Sequence, residues 1–262
     1  MIALVTGASS GIGAAAARRL AREPGAQLVL VARGEERLRT LADEMGGATV
    51  IAVDLLDADA PARITEVVER EHGRLDLLVN NAGSAWRGTF ADTGWQNVQR
   101  HMALNFDAPL RLTEALLPIL RRSAPSAIVN VSSVAGRVSR ATSGAYSASK
   151  FALAGWTDAL RGEEERHGVH VGLVLPGFVP TEGFPQREIR ERVLMRWMLS
   201  SPERVAEAIF DAGPGGRAER YVPRAWWLAP ALRLVAPGLV RRLTAAGASL
   251  APATASDPAP PS

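Results

Sequence analysis

The sequence predicts one α/β domain with a doubly wound parallel β-sheet and helices on both faces. Short β-rich runs, most of them continuously apolar, alternate along the chain with longer helical stretches. Continuously apolar runs are typical of strands buried on both faces of a sheet, and strand–helix alternation implies βαβ units with right-handed crossovers. The length of 262 residues suits a single domain with a large core.

The elements follow one another without an intervening linker. The strand candidates are Ile2–Thr6, Gln27–Ala32, Thr49–Val53, Leu75–Asn80, Ala127–Ser132 and Val169–Leu175. Helices are expected between them, at about 12–22, 35–45, 58–72, 94–121 and 146–167. We therefore expect one catalytic domain over about residues 1–225. An apolar extension follows at 226–250, and the Pro- and Ala-rich end at 251–262 is expected to be disordered.

The composition excludes several classes of protein. Cysteine is absent, which excludes disulfides, a thiolate nucleophile and Cys-ligated metals, and the four histidines lack metal-ligand spacing, so no metal is expected. The net charge is only +3, and the pI near 10.1 reflects basic residues that are all arginine except Lys150. We therefore expect no nucleic-acid partner. With no long apolar run and no signal-peptide pattern, a cytoplasmic location is expected.

The first strand candidate runs into a glycine-rich turn, Thr6–Gly13, with the spacing G-xxx-G-x-G. Gly7 allows a tight turn, and Gly11 and Gly13 allow the backbone to come close to a phosphate. The helix that begins here offers free N–H groups and the positive end of its dipole to a pyrophosphate. A strand before and a helix after favour a dinucleotide site over a simple turn, although the spacing differs from the usual G-x-G-x-x-G.

The end of the second strand candidate bears on the choice of dinucleotide. An acidic residue at this point binds the ribose 2′-hydroxyl of NAD, whereas an Arg accommodates the 2′-phosphate of NADP. Here Ala32 and Arg33 occupy the turn. The sequence therefore favours NADP over NAD, with NADPH as the preferred cofactor. The alternative is that Arg33 is simply a solvated residue in an Arg-rich chain.

Tyr146 and Lys150 lie four residues apart on a predicted helix, which places them on one face. A tyrosine hydroxyl can pass a proton to a carbonyl oxygen, and a nearby ammonium favours the phenolate and lowers the pKa. Ser133 follows a strand and can bind the same oxygen. Lys150 is the only lysine in the chain. All other basic residues are arginine, so a lysine beside one of the two tyrosines indicates a site that requires an ammonium group.

Taken in order, these motifs resemble those of the short-chain dehydrogenase/reductase family over about residues 1–225. The matching residues are Thr6–Gly13, Asp54 and Leu55, Asn80 to Gly83, Asn105, Ser133, Tyr146 with Lys150, and Pro176 and Gly177 followed by Thr181. The resemblance implies a Rossmann-type sheet of about seven strands in the order 3-2-1-4-5-6-7. It also implies an oxidoreductase that forms a homodimer or homotetramer, with subunit contacts through the helices at 94–121 and 146–167.

The resemblance further implies a role for each site residue. The implied catalytic set is Tyr146 as general acid/base, Ser133 as the positioner of the substrate oxygen, Lys150 on the nicotinamide ribose, where it also lowers the pKa of Tyr146, and Asn105 holding a water in the proton relay. The implied cofactor-binding residues are Gly7, Ser9, Ser10, Gly11, Ile12, Gly13, Arg33, Asp54, Leu55, Asn81, Ala82, Gly83, Tyr146, Lys150, Pro176, Gly177, Val179 and Thr181. Asp54 would meet the adenine amino group, and Pro176–Thr181 the nicotinamide carboxamide. Pro180 departs from the family pattern by stiffening that loop.

The substrate is less clearly encoded. The expected substrate-binding segments are Ser84–Thr93, which includes Trp86 and Phe90, Gly136–Ala145, and Gly183–Ser200, which reads as an amphipathic lid or as ordinary core packing. No charged residue in these segments clearly demands an acidic substrate. Two functions stay open: an NADP(H)-linked reductase or dehydrogenase for a hydrophobic carbonyl or alcohol, and a non-catalytic NADP(H)-binding sensor or scaffold.

The segment Tyr221–Leu243 is strongly apolar, carries Trp226 and Trp227, and ends in paired arginines. Exposed patches of this kind usually mark interfaces. It can cover the substrate pocket, lie between subunits, or rest on a lipid surface. We expect a cover beside the substrate pocket, with weak membrane contact as the second choice.

Overall fold

The computed structural model describes residues 1–180 and 199–246. Seven strands form a single sheet in which every pair is parallel. They are β1 (Ile2–Thr6), β2 (Gln27–Ala32), β3 (Thr49–Ala52), β4 (Leu77–Asn80), β5 (Ser126–Val131), β6 (Val169–Pro176) and β7 (Glu219–Val222). Their order across the sheet is β3-β2-β1-β4-β5-β6-β7. The expected doubly wound parallel sheet and its strand order are confirmed.

Helices connect the strands and continue beyond the last one. They are α1 (Gly11–Leu20), α2 (Glu35–Glu44), α3 (Ala60–His72), α4 (Phe90–Met102), α5 (Ala108–Arg122), α6 (Gly144–Glu164), α7 (Pro202–Ala212), α8 (Leu228–Val235) and α9 (Pro237–Ala246). The prediction of one uninterrupted helix at 94–121 is wrong, because a π-helical turn at Ala103–Asp107 separates α4 from α5. Gly94 also breaks the regular backbone inside α4, with φ of 59°.

The alternation of side chains along the strands divides the core into two apolar layers. In β1, Ala3 and Val5 face one layer, to which α1, α2 and α7 contribute apolar side chains. Ile2 and Leu4 face the other layer, which is completed by α3, α5 and α6. Because both faces are covered, the inner strands are mostly apolar along their whole length. Within the described ranges, no helix has the length and apolar character that crossing a membrane requires.

All the strands are parallel, so their carboxyl ends meet at one edge of the sheet. In an open α/β sheet, ligands bind in the crevice at this edge, where the strand order reverses. Here the reversal lies between β1 and β4, which are hydrogen-bonded neighbours. The predicted site residues follow the ends of β1, β4, β5 and β6 and therefore converge on this crevice.

Candidate active site

The turn after β1 requires glycine at two positions for different reasons. Gly7 has φ of 65°, in the left-handed region that glycine tolerates best. A Cβ at Gly13 would lie 2.1 Å from the carbonyl oxygen of Gly7, so any side chain there would push α1 away from the turn. Steric limits thus require glycine at both positions of this turn. The result is a tight connection that directs the start of α1 toward the crevice.

The donors at the start of α1 fit a pyrophosphate. Ser10 precedes the helix with extended backbone, and its side chain makes no capping hydrogen bond. The N–H groups of a helix's first turn lack intrahelical partners, and the helix dipole makes this end positive. Ser9, Ser10 and Ile12 lie at this end, as the sequence predicts. Backbone donors, a hydroxyl and a positive dipole end are the chemistry that an anion needs.

Thr6 joins the loops that follow β1 and β4. Its hydroxyl accepts hydrogen bonds from the N–H groups of Asn81 and Ala82, both at 3.0 Å, and donates to the carbonyl oxygen of Val79 at 3.2 Å. The Asn81 amide donates back to the Thr6 carbonyl oxygen at 2.9 Å. These bonds hold Asn81, Ala82 and Gly83 against the glycine turn. The sequence motif included Thr6 without indicating this function.

The ends of β2 and β3 bring Arg33 and Asp54 together. The guanidinium lies 3.7 Å from the carboxylate, and the Arg33 side chain is 80% exposed. Asp54 also accepts a hydrogen bond from the N–H of Leu56 at 3.0 Å, so it stabilises its own turn, while Leu55 is buried. An exposed ion pair of this kind stabilises the fold little. Arg33 therefore stays accessible to a phosphate, which fits the 2′-phosphate of NADP.

Ser133 and Tyr146 meet across the crevice. Ser133 follows β5, Tyr146 lies in the first turn of α6, and their side chains form a hydrogen bond. The Ser133 hydroxyl also lies 3.3 Å from the carbonyl oxygen of Pro176 at the end of β6. Burial raises the pKa of Tyr146, and the Ser133 hydrogen bond and the charges of Arg140 and Arg87 offset part of that rise. Tyr146 is therefore protonated at neutral pH.

Lys150 lies one helical turn beyond Tyr146 and is buried, with 4% of its surface exposed. Its ammonium donates to the carbonyl oxygen of Val131 at 2.9 Å. Burial lowers the pKa of Lys150 to about 8. A Cβ at Gly83 would lie 3.4 Å from Nζ of Lys150 and 2.8 Å from Oδ1 of Asn105. Glycine at position 83 thus leaves room for both side chains.

Asn105 lies in the π-helical turn between α4 and α5, a distortion that is frequent at functional sites. Its amide nitrogen donates to the carbonyl oxygen of Ser84 at 2.9 Å and to the hydroxyl of Ser149 at 3.1 Å. Its oxygen accepts from the N–H of Ser84 at 3.0 Å. Asn105 therefore ties the loop after β4 to α6, close to Lys150.

Three groups beside Tyr146 were not predicted from the sequence. Arg87 and Arg140 lie in two of the three expected substrate segments, and their charges, rather than that of Lys150 as expected, lower the pKa of Tyr146. The fully buried ring of His101 lies 6.1 Å from that of Tyr146. His101 accepts from the N–H of Trp86 at 3.0 Å and lies 2.7 Å from the Asn97 carbonyl oxygen, which assigns the proton to Nδ1. The sequence indicated a role for the two arginines only through their position in segments assigned to the substrate.

The loop after β6 closes the crevice from the other side. The N–H of Gly177 donates to the carbonyl oxygen of Val222 at 2.8 Å, and Val179 is buried. A Cβ at Gly177 would lie 2.1 Å from Nε1 of Trp226, so the indole covers this loop directly. The Trp226 ring also meets that of Phe178 edge-on, at 5.7 Å. Thr181, and residues 183–198 of the expected substrate segment, lie outside the described residues.

The fold and the crevice define a Rossmann-type α/β protein with a Ser–Tyr–Lys site at the carboxyl edge of its sheet. A model of the short chain dehydrogenase family matches residues 1–191. The chain belongs to this family of oxidoreductases.

Individual relatives are similar over most of the chain. Dehydrogenase/reductase SDR family member 7B of Bos taurus is 33% identical over 269 residues, covering 94% of this chain and 81% of the relative. Ketoacyl reductase HetN of Nostoc sp. is 34% identical over 213 residues, covering 80% and 74%. The solved structure of the Pseudomonas aeruginosa RhlG/NADP active-site complex superposes with a TM-score of 0.75 at 30% identity, covering 84% and 93%. A variant of actinorhodin polyketide ketoreductase with NADPH superposes with a TM-score of 0.76 at 32% identity, covering 84% and 94%.

Proposed function

We propose that this protein is an NADP(H)-dependent oxidoreductase that interconverts a hydrophobic carbonyl compound and its alcohol, with Tyr146 as the general acid/base. The observation that carries the proposal is the hydrogen-bonded pair of Ser133 and Tyr146, with Lys150 buried one turn further along α6. A sensor or scaffold that only binds the cofactor has no need of this set. The two solved structures with NADP and NADPH support the choice of cofactor.

The cofactor would be held by residues at the carboxyl ends of five strands and by one residue of α6. The N-terminus of α1, with Gly7 to Gly13, would bind the pyrophosphate, and Arg33 the 2′-phosphate. Asp54 and Leu55 would lie beside the adenine, and Asn81 to Gly83 would line the crevice. Lys150 would bind the nicotinamide ribose, and Pro176, Gly177 and Val179 would face the carboxamide, with Thr181 proposed as a further contact. Bound NADPH supplies the hydride for the reduction.

The proton comes from the protein. Burial raises the pKa of Tyr146, so its hydroxyl carries a proton at neutral pH and can donate it to a carbonyl oxygen held by Ser133. The charges of Arg140 and Arg87 stabilise the phenolate that remains. Asn105 fixes the loop after β4 and, with one oxygen lone pair left by its described hydrogen bonds, can hold a water between Lys150 and solvent.

The proposal also covers the domain bounds, the location, the subunit number and the partners of the protein. We propose that residues 1–225 form the catalytic unit and that 226–250 are an extension of it. We further propose a cytoplasmic homodimer or homotetramer that acts on a small molecule and binds neither metal nor nucleic acid. The subunits would meet through the helices on either side of the π-helical turn and through α6, the elements that the family resemblance assigns to this contact.

The direct test is the oxidation of NADPH with a panel of apolar ketones and aldehydes. We expect turnover by the wild-type protein and a loss of roughly 10²–10⁴-fold in kcat for Tyr146→Phe, the usual contribution of a positioned acid. The variant should still bind NADPH, because the glycine turn, Arg33 and Lys150 are unchanged. Lys150→Arg should also lose turnover, although arginine keeps the positive charge.

Two results would contradict the proposal. A Tyr146→Phe variant with a kcat within about threefold of the wild type would remove Tyr146 from the chemistry. Binding of NADPH without turnover of any member of the panel would favour the sensor or scaffold.

A further inference from the structure

The large apolar side chains that this protein exposes are concentrated in its last described elements. Five of the eight in the described ranges lie between β7 and α9: Trp227 and Leu228 are each 54% exposed, Leu234 83%, Val235 81% and Leu239 50%. We call these five residues the C-terminal apolar surface. A folded monomer seldom leaves such residues together in water, and a contiguous group of them marks a contact with another body.

The segment that carries this surface has an inner side attached to the protein. Trp226 packs on Gly177 and Phe178, as described above. Arg233 donates to the carbonyl oxygen of Arg137 at 2.6 Å and lies 5.2 Å from the ring of Phe151. These contacts fix the orientation of α8 against the start of α6 and the loop after β6. One side of the segment is therefore packed against the protein, and the other side faces solvent.

The open side of α8 is apolar. Successive helical residues are rotated by about 100°, so Leu228, Leu234 and Val235 fall within an arc of roughly 120°. Trp227 precedes them in a short 3₁₀ turn, and Leu239 follows in α9. An apolar face of this width on a short, Pro-interrupted pair of helices is typical of a segment that lies in an interface rather than one that crosses a bilayer.

The charges along this segment favour an anionic partner. The range Tyr221–Ala246 contains four arginines, all exposed, and no acidic residue: Arg224, Arg233, Arg241 and Arg242. Apolar side chains bordered by arginines complement a membrane with anionic headgroups, where each cation near the surface adds about 1 kcal/mol. A second copy of the chain is a poorer partner. A twofold axis would bring together two copies of a segment that carries arginines and no acid, and like charges across an interface are repulsive.

We propose that the C-terminal apolar surface docks on a membrane that contains anionic phospholipids. The five apolar side chains enter the boundary between headgroups and acyl chains, and Arg241 and Arg242 contact the phosphates. The proposal is independent of the proposed catalytic activity, because none of these residues belongs to the Ser–Tyr–Lys site.

Co-sedimentation of the full chain with vesicles tests the proposal. We expect binding to phosphatidylcholine vesicles that contain phosphatidylglycerol, and much weaker binding to phosphatidylcholine alone. The double variant Arg241→Gln/Arg242→Gln should bind the anionic vesicles about 30-fold more weakly. Leu234→Glu/Val235→Glu should abolish the binding. The matched control is Leu56→Glu, which changes an exposed apolar residue in the turn after β3, 48% exposed, and should bind as the wild type does.

A second measurement places the contact. The chain has no cysteine, so a single Val235→Cys substitution can carry an environment-sensitive fluorophore without further changes. Its emission should shift to the blue when anionic vesicles are added, whereas the same label on Leu56→Cys should not respond. Unfolding midpoints in urea close to that of the wild type would show that the variants are folded.

Three results would overturn the proposal. The first is a full-length protein that does not sediment with anionic vesicles. The second is a Leu234→Glu/Val235→Glu variant that is folded and still binds them as the wild type does. The third is a decrease in subunit number for that variant by light scattering, which would place the surface between subunits.

Discussion

We expect one exposed side chain, Arg33, to set the preference for NADPH over NADH. Its guanidinium stands 3.7 Å from the Asp54 carboxylate at the edge of the crevice. A charged contact of this kind with the 2′-phosphate is worth roughly 1.5–3 kcal/mol, or about ten- to hundredfold in affinity. Arg33→Ala should therefore raise the Kd for NADPH by that factor and leave the Kd for NADH nearly unchanged, as measured by titration of each cofactor.

The control for this prediction is Arg39→Ala, which removes another exposed arginine near the same turn and whose described ion pair is with Glu35 on its own helix. Both dissociation constants should then stay near the wild-type values. Equal wild-type affinities for NADPH and NADH would refute the assignment of Arg33 to the 2′-phosphate.

An ion pair with a buried carboxylate joins two helices, α5 and α6. Glu164 at the end of α6 accepts from Arg121 of α5 through two bonds, at 2.8 and 2.6 Å, and its side chain is 2% exposed. The hydrogen bond from Arg121 lowers the pKa of Glu164. The pair therefore contributes stability at neutral pH, and this contribution is lost as the pH falls through the lowered pKa.

Glu164→Ala should lower the free energy of unfolding by about 1–3 kcal/mol, because it removes a buried, charge-assisted pair while Arg121, half-exposed, can turn to water. The neighbouring exposed Glu163→Ala is the matched control and should change it by less than about 0.5 kcal/mol. Urea titrations at neutral and acidic pH measure both. Equal unfolding midpoints for the two variants would show that the pair does not join α5 and α6 energetically.

Two adjacent tryptophans at the start of the C-terminal extension have different environments. Trp226 covers the loop after β6, whereas Trp227 is 54% exposed. Trp226→Ala should raise the KM for bulky apolar substrates by roughly 5- to 30-fold, since a few contacts worth about 1–2 kcal/mol are lost beside the substrate. NADPH affinity should change little.

Trp227→Ala, assayed without lipid, is the control and should leave KM unchanged. If both variants had the wild-type KM, the extension would not cover the substrate pocket. If instead Trp226→Ala lost NADPH affinity with KM unaffected, Trp226 would act through the cofactor side of the loop.

The sequence predicted the elements best where their side chains are buried on all sides. β1, β2 and β5 are mostly apolar and mostly buried, and they lie within one residue of the expected positions. β7 was not recognised from its pattern, because Glu219 and Arg220 make this edge strand read as a loop. The π-helical turn was missed as well, since no residue pattern distinguishes it from regular helix.

In the candidate site, too, some contacts could be predicted from the sequence and others could not. Residues within one motif, such as Tyr146 and Lys150, are brought together by helical spacing and could be predicted. Contacts between segments distant in the chain could not. The proximity of Arg87 and Arg140 to Tyr146, and of Trp226 to Gly177, depends on how separate loops pack at one edge of the sheet. The sequence left the position of the C-terminal segment open for the same reason.

The replacement of lysine by arginine throughout the molecule makes one titration measurable in the whole protein. Lys150 is the only lysine, cysteine is absent, and the pKa values of both tyrosines are raised, that of Tyr221 to about 12. Burial lowers the pKa of Lys150 from 10.5 to about 8. Between these two values the unfolded chain binds more protons than the folded one, so stability rises with pH.

Without cofactor, the free energy of unfolding of the wild type should therefore rise by about 1 kcal/mol from pH 8 to pH 9, below the range in which the tyrosines of the unfolded chain lose their protons. Lys150→Met, which keeps the side chain's length without its charge, should be flat over this range and more stable than the wild type at pH 7. Urea titrations of both proteins across the range measure the difference. Parallel pH profiles would mean that the ammonium of Lys150 is as well solvated in the folded protein as in the unfolded chain, and that the site does not hold a desolvated cation.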